Sequence, residues 1–193
     1  MFQKIAPRLL PILLLLSCVA EDNIPTGSQL MLNPNLSLYP DSVFPWTAHS
    51  TGEIEAGVSH EIFFTGNRSL FIDNQDSLAF GSGSWSQTYT GPMPVTGSSL
   101  ELTAFVKGEN IRYLSTGYIG ISISLQPFQE HSPGIRSAHS GKIEFLEGDF
   151  DWTPIRLTLE NFPEEVDGIS VNLGLGFRTV GKVYFDEITL DVK

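Results

Sequence analysis

Trp85, Gln87 and Tyr89 are the residues whose types and spacing point most directly to chemistry. They stand at alternate positions, so an extended strand places all three side chains on one face. Aromatic rings can stack on the C–H surface of a sugar, and an amide can hydrogen-bond two neighbouring hydroxyl groups. The same alternation fits a buried stripe, and that alternative stays open. Gln87 favours a ligand platform, because a buried amide would need partners inside the protein.

Further segments alternate apolar residues with polar ones, and most of the polar residues are small. Small polar residues would leave room for a ligand above a sheet, although a plain solvated face would show the same pattern. Glu101 alternates with apolar positions in the same way. Adding the polar residues of these segments to the first three gives the candidate binding set Trp85, Gln87, Tyr89, Glu101, Ser124, Gln126 and Asn172.

Catalytic and metal-binding patterns are weak in this sequence. It contains one cysteine and four histidines, and the histidines lack metal-ligand spacing. Glycoside hydrolysis requires two carboxylates at a defined separation, and no such pair is evident. The net charge of −11 repels phosphate backbones, so nucleic acid is not an expected partner. We expect a binding protein rather than an enzyme.

The N-terminus reads as an export signal. The basic residues Lys4 and Arg8 precede a short run over residues 9–16 that is apolar apart from the break at Pro11. This run is too short to span a bilayer and is typical of a signal peptide. The run ends in Leu-Leu-Ser-Cys at 15–18, which resembles the bacterial lipobox. This resemblance implies cleavage after residue 17 and lipidation of Cys18, with acyl chains anchoring the protein to a membrane.

The residues after Cys18 predict a polar tether over 18–32. Ala20, Glu21 and Asp22 resemble the acidic signal that sends lipoproteins to the cell surface in Bacteroidetes-type bacteria. We therefore expect a lipid-anchored protein on the outside of the bacterial outer membrane. A single domain over 33–193 would follow the tether.

That domain reads as β-structure throughout. Short runs of period two are separated by Gly, Pro and Asn turn signals, and no crossover helix is evident. The prediction is an all-β antiparallel β-sandwich of the jelly-roll type. Strands are expected around 61–64, 70–72, 84–89, 100–107, 119–126, 143–145, 155–159, 169–177 and 183–192. Within the last, the inward positions pass from Phe185 to Ile188 with a slip of one, which predicts a β-bulge at Asp186-Glu187.

The order of these signals resembles a known group. The chain is similar to the carbohydrate-binding jelly rolls that include families four, nine, sixteen and twenty-two, over about residues 33–192. The matching segments are NPNLS at 33–37, FPW at 44–46, GNRSLFI at 66–72, WSQTY at 85–89, LTAFVK at 102–107, WTP at 152–154 and VYFDEI at 183–188. Each segment is short, and their order and spacing carry the resemblance.

The resemblance implies a structural calcium ion, with one departure. The family often places a Glu in the first strand to help hold the ion, and this chain has Ser37 there. Asp186 matches the family's other calcium carboxylate. The alternative is that Asp186 caps a turn at the sheet edge.

The functional expectation is a non-catalytic lipoprotein that captures a polysaccharide or oligosaccharide at the cell surface. Glycan-degrading enzymes or importers would then act in trans on what it holds. The alternative is a structural or protein-interaction lipoprotein of the envelope that uses the same fold without binding sugar.

Overall fold

The computed structural model describes residues 24–78, 81–114, 120–129 and 146–193. These residues contain nine strands and no helix, and therefore no helix that could cross a membrane. The strands are β1 (Thr47–Ser50), β2 (Glu55–Ser59), β3 (Ser69–Asn74), β4 (Gly83–Tyr89), β5 (Leu100–Tyr113), β6 (Ile121–Phe128), β7 (Gly148–Leu159), β8 (Gly168–Leu175) and β9 (Thr179–Val192).

The strands form two antiparallel sheets that pack face to face. The four-stranded sheet has the order β1-β4-β8-β6, and the five-stranded sheet has the order β2-β3-β9-β5-β7. Apart from the consecutive pair β2 and β3, neighbouring strands in each sheet are not consecutive in sequence, as the crossing connections of a jelly roll require. The predicted all-β antiparallel sandwich is therefore confirmed.

Alternating aliphatic side chains fill the space between the sheets. Ile123 and Leu125 of β6, Val171 and Leu173 of β8, and Leu102 of β5 are completely buried. Because a strand turns successive side chains to opposite faces, burying these stripes directs the residues between them outward. The alternation in the sequence thus decides which face of each sheet is internal.

Some predicted strands differ from the observed ones. Residues 61–64 form bends rather than a strand, while β1 and β2 had no clear alternation in the sequence. Both are short edge strands, so their pattern is decided by one neighbour and by solvent. The strand expected around 143–145, residue 119, His131 and His139 lie outside the described residues.

The predicted boundary between tether and domain is wrong. Leu30 and Met31 are buried, and the segment that contains them runs beside β9. The Leu30 N–H donates to the Leu190 carbonyl at 2.8 Å, and the Val192 N–H donates to the Ser28 carbonyl at 2.9 Å. The domain therefore includes residues 28–31, which hydrogen-bond to the end of β9 that β3 does not reach.

A β-bulge is present, one residue further along than the predicted Asp186-Glu187, at Glu187-Ile188. Thr103 pairs with Thr189 and Phe105 pairs with Asp186, so Ala104 alone faces both Glu187 and Ile188. Glu187 has φ 46°, a left-handed conformation of the kind that bulges use. The extra residue lets both Phe185 and Asp186 be buried next to each other in the chain.

Candidate functional site

Trp85, Gln87 and Tyr89 do not form a ligand platform. All three point toward the space between the sheets, and Trp85 and Gln87 are only 5% and 4% exposed. The Trp85 Nε1–H donates to the Phe71 carbonyl at 3.1 Å, and the half-buried Tyr89 donates its hydroxyl to the Pro92 carbonyl at 2.8 Å. The sequence-based assignment of these residues to a sugar site is corrected.

The Gln87 amide holds the N-terminal segment against the four-stranded sheet. Its Oε1 accepts from the Leu32 N–H at 2.7 Å, and its Nε2 donates to the Leu32 carbonyl at 2.9 Å. The sequence analysis favoured a ligand for Gln87 because a buried amide would need partners inside the protein. The structure provides such a partner, the backbone of Leu32. This pairing satisfies both ends of the amide, which is what burial demands.

The assignment of Glu101 to the binding set is also wrong, because Glu101 lies on a different sheet from the other polar candidates. It belongs to β5 in the five-stranded sheet, where the Lys193 Nζ lies 3.0 Å from its Oε1. Ser124, Gln126 and Asn172 belong to the four-stranded sheet. Glu101 therefore cannot act with these three residues on one ligand.

The four-stranded sheet does bring Ser124, Gln126 and Asn172 together on its outer face. Ser124 pairs with Asn172 across β6 and β8, and Asn172 pairs with Ser86 across β8 and β4. Side chains that pair directly in a sheet point to the same side. We call this surface the polar face; by register its described members are Thr47, His49, Ser84, Ser86, Thr88, Ser122, Ser124, Gln126, Phe128, Gly168, Ser170, Asn172 and Gly174.

The polar face is lined with small side chains that have hydrogen-bonding capacity to spare. The Asn172 Nδ2 reaches the Ser170 Oγ at 3.5 Å, the upper limit of a hydrogen bond. A Cβ placed on Gly174 would lie 2.8 Å from the Ser122 Oγ, so the surface is tightly packed and low at that point. Such a face presents amide and hydroxyl groups without tall side chains that would block a ligand.

Phe128 contributes an aromatic ring to one end of the polar face, and the sequence analysis missed it. It pairs with Gly168, and a Cβ on Gly168 would lie 2.4 Å from the Phe128 ring. The ring therefore lies across the glycine and is half-buried. The signal was available, since Phe128 continues the alternation of Ser124 and Gln126.

Most of the aromatic surface lies on the opposite side of the molecule. Phe64 stacks on Phe105 at 4.1 Å between ring centroids, and Trp152 is 5.9 Å from Phe64 and 6.5 Å from Tyr184. We call these four residues the aromatic cluster; it covers the outside of the five-stranded sheet. The Tyr184 hydroxyl donates to Glu109 at 3.1 Å, and burial, reinforced by this carboxylate, raises the pKa of Tyr184.

Asp186 is completely buried beside the bulge, and its carboxylate is held by backbone N–H groups. Its Oδ2 accepts from Phe64 at 2.8 Å and from Thr65 at 3.0 Å, and its Oδ1 accepts from Glu187 at 2.8 Å. Burial raises the pKa of Asp186 to about 6, more than these three donors lower it.

The surroundings of Asp186 do not fit a calcium ion. Calcium takes six or more oxygen ligands, whereas the groups that converge on this carboxylate are N–H donors. In the described part of the chain, no three acidic, histidine or cysteine side chains are grouped to hold a metal. Asp186 instead ties the 64–65 turn to β9 through backbone N–H groups. This role resembles the alternative from the sequence analysis, in which Asp186 caps a turn.

Comparison with known proteins identifies the fold. No family model and no curated protein matches the chain. Among solved structures, the xylan-binding CBM22-1 domain of Paenibacillus barcinonensis Xyn10C matches with TM-score 0.58 and 13% identity, covering 88% of this chain and 97% of that one. TmCBM61 in complex with β-1,4-galactotriose matches with TM-score 0.55 and 14% identity, over 86% and 100% of the two chains.

Proteins with other roles match equally well. A Stig cyclase of Fischerella sp. TAU has TM-score 0.62 and 12% identity, over 87% of this chain and 98% of that one. The enzymatically active domain of bacteriophage CBA120 tailspike protein 4 has TM-score 0.62 and 10% identity; 86% of this chain aligns with 21% of that one. The chain thus has the jelly-roll fold of carbohydrate-binding modules, and at these identities the likeness concerns the fold alone.

Replacing Gln87 with Ala tests its structural role. The change leaves the Leu32 N–H and carbonyl without their partner, so we expect a loss of about 2–4 kcal/mol in the free energy of unfolding. Urea denaturation monitored by tryptophan fluorescence would measure it. Ser86→Ala, on the outer side of the same strand, is the matched control and should change stability by less than about 0.5 kcal/mol. Equal stabilities of the two variants would contradict this role.

The buried Asp186 predicts a specific pH dependence. Its pKa rises from 3.8 in the unfolded chain to about 6 in the folded protein. The folded state therefore binds this proton more tightly, and the stabilisation it provides is lost as pH rises through 6. Relative to Asp186→Asn, the wild type should lose up to about 3 kcal/mol of unfolding free energy between pH 4 and pH 7.

Carboxyl ¹³C chemical shifts of Asp186 would measure its pKa directly, alongside denaturation at each pH. A pKa below 4 for this carboxyl would contradict the prediction, because the backbone donors would then outweigh burial.

Proposed function

We propose that the protein is a non-catalytic glycan-binding lipoprotein whose polar face holds a polysaccharide or oligosaccharide at the cell surface. The observation that carries this proposal is the row formed by Ser124, Asn172 and Ser86 across three strands, with Phe128 at one end of the same face. The side chains on this face are presented to solvent by a sheet whose central strands bury their aliphatic residues on the opposite face.

The chemistry of the polar face suits neutral sugars. The Asn172 and Gln126 amides can each donate and accept, as the adjacent hydroxyl groups of a pyranose require. The serine and threonine hydroxyls add further donors and acceptors, and the Phe128 ring offers a surface for stacking. Among the described members of this face, His49 is the only ionisable side chain. A neutral glycan carries no charge, so the negative charge of the protein would not oppose its binding to this face.

The fold comparisons support glycan binding in general. Two modules of the same jelly-roll fold are described as xylan-binding and as complexed with β-1,4-galactotriose. Fold alone does not fix function, and the cyclase with this fold shows that other uses exist. The hydrogen-bonding side chains of the polar face are the evidence for glycan binding that comes from this chain itself.

The sequence supports a lipid anchor at Cys18. The short apolar run and the lipobox-like Leu-Leu-Ser-Cys at 15–18 place the cysteine at the cleavage point. Together with the acidic residues that follow, they support an outer-membrane lipoprotein exposed at the surface. A bound glycan would there be presented to enzymes or importers that act in trans.

The second candidate function is a protein-interaction subunit of the envelope. The aromatic cluster favours it, because Phe64 is 41% exposed and the neighbouring Phe63 is 38% exposed. Exposed aromatic residues grouped on one surface are typical of protein interfaces. Binding of another envelope protein through this side would leave the polar face free.

Blocking the polar face tests the proposed glycan site. In Ser124→Trp, the indole would cover Asn172, and we expect affinity for the recognised neutral glycan to fall at least tenfold with little change in stability. Isothermal titration calorimetry with xylohexaose and β-1,4-galactotriose provides the measurement. The matched control is Thr103→Trp, which adds the same bulk to the outer face of the five-stranded sheet.

Two outcomes would overturn the proposal. Failure of the folded wild-type protein to bind any soluble neutral glycan on an array would remove the function. Loss of binding in Thr103→Trp but not in Ser124→Trp would move the site to the other sheet.

Replacing Cys18 with Ser tests the anchor. Without a thiol, no acyl chain can be attached, so we expect incorporation of labelled palmitate to disappear and the protein to leave the membrane fraction. Ser17→Ala keeps the thiol and a small residue before it, and should remain lipidated. Membrane association of Cys18→Ser equal to that of the wild type would contradict lipid anchoring.

A further inference from the structure

Arg68 is a buried cation without an acidic partner. Its side chain lies at the start of β3 and the residue is only 4% exposed. The Nε–H donates to the Asn67 Oδ1 at 3.0 Å, and Nη2 donates to the Pro40 carbonyl at 2.6 Å. It forms no ion pair with any carboxylate of the described residues. Arginine is rarely buried in this way unless its charge is paired.

Arg68 is one of the residues that line a cavity of about 550 Å³. A guanidinium has five N–H groups, and the two bonds to Asn67 and Pro40 leave three. In the described part of the chain, only Trp46 Nε1 and Thr179 Oγ1 are sealed from solvent without a partner. The Arg68 Nη1 has no hydrogen-bond partner among the described residues and is not one of these sealed atoms, so solvent reaches it and a ligand in the cavity could bind it.

Other groups around the cavity can also donate hydrogen bonds. The Ser42 Oγ accepts from the Phe44 N–H at 2.9 Å, which leaves its own O–H free to donate. The His60 imidazole lies at the exposed rim. Asp41 is the one carboxylate that lines the cavity. The cavity thus combines a buried cation with further hydrogen-bond donors and one carboxylate.

Apolar groups complete the site and indicate a sugar rather than a bare ion. Pro40, Val43 and Val58 line the cavity walls. Phe44 follows Val43 directly and is 58% exposed, with its ring 5.8 Å from that of Tyr39. An exposed aromatic ring beside a hydrogen-bonding cavity matches a pyranose, whose C–H surface and polar groups lie on different sides.

We propose that this cavity, separate from the polar face, binds the carboxylate of a uronic acid residue in an acidic glycan. Two parallel N–H groups of a guanidinium match the two oxygens of a carboxylate, and the ligand supplies the counter-charge that Arg68 lacks. Sulfate and phosphate esters share this oxyanion chemistry, so the experiment includes them as separate arms. The proposal rests on its own residues and does not depend on neutral glycan binding.

The experiment compares trigalacturonate with β-1,4-galactotriose by isothermal titration calorimetry on the intact domain. We expect wild-type protein to bind trigalacturonate at least tenfold more tightly than Arg68→Lys, which keeps the charge but loses the paired donors. Arg156→Lys, an exposed arginine on β7, is the matched control and should change nothing. Thermal unfolding of each variant would show whether the fold is kept.

A second variant keeps the proposal testable even if Arg68→Lys fails to fold. Asp41→Asn removes the one carboxylate at the cavity wall, and because that charge repels an anion, we expect affinity for trigalacturonate to rise about threefold. A structural arginine without a ligand role predicts no change in this variant.

The outcomes separate this proposal from the proposed function. Loss of neutral-glycan binding in Ser124→Trp with trigalacturonate binding retained supports two distinct sites. Binding of trigalacturonate without any neutral glycan supports the cavity and refutes the polar face. No binding of trigalacturonate to wild type, equal binding to Arg68→Lys, or displacement by sulfate or phosphate as effective as by galacturonate would overturn the carboxylate site.

Discussion

The alternation of aliphatic and small polar residues along β6 and β8 is the constraint on which the rest of the structure depends. Ile123, Leu125, Val171 and Leu173 are completely buried, and the residues between them must face outward. A shift of one residue in β6 would bury Ser124, and one in β8 would bury Asn172; each would expose the aliphatic stripe of its own strand. The hydrophobic effect therefore fixes the register, and the register creates the polar face.

The two sides of the sandwich have different surface chemistry as a result. The polar face is low, has no ionisable side chain other than His49 among its described members, and is suited to hydroxyl-rich ligands. The aromatic cluster on the five-stranded sheet is packed on itself, with Phe64 and Phe105 stacked at 4.1 Å. Beside β2, the edge strand of the five-stranded sheet, the Arg68 cavity adds a buried positive charge to an otherwise acidic protein. Three surfaces with different chemistry thus share one core.

Buried polar groups hold together the parts that the core does not reach. Gln87 fastens the N-terminal segment through Leu32, and Asp186 fastens the 64–65 turn through backbone N–H groups. Each takes its partners from a segment distant in sequence. These side chains looked like ligand-binding groups because the same capacity that binds a sugar or a cation also binds a backbone.

The sequence by itself determined the sandwich, its buried stripes, a bulge next to Asp186 and the common face of Ser124, Gln126 and Asn172. These features depend on local alternation, which a strand converts directly into facing. Only the tertiary structure decided that Gln87 meets Leu32, that Glu101 lies on the opposite sheet, and that Arg68 is buried without a carboxylate. Those facts depend on which distant segments pack together, and a periodic pattern carries no information about its partner.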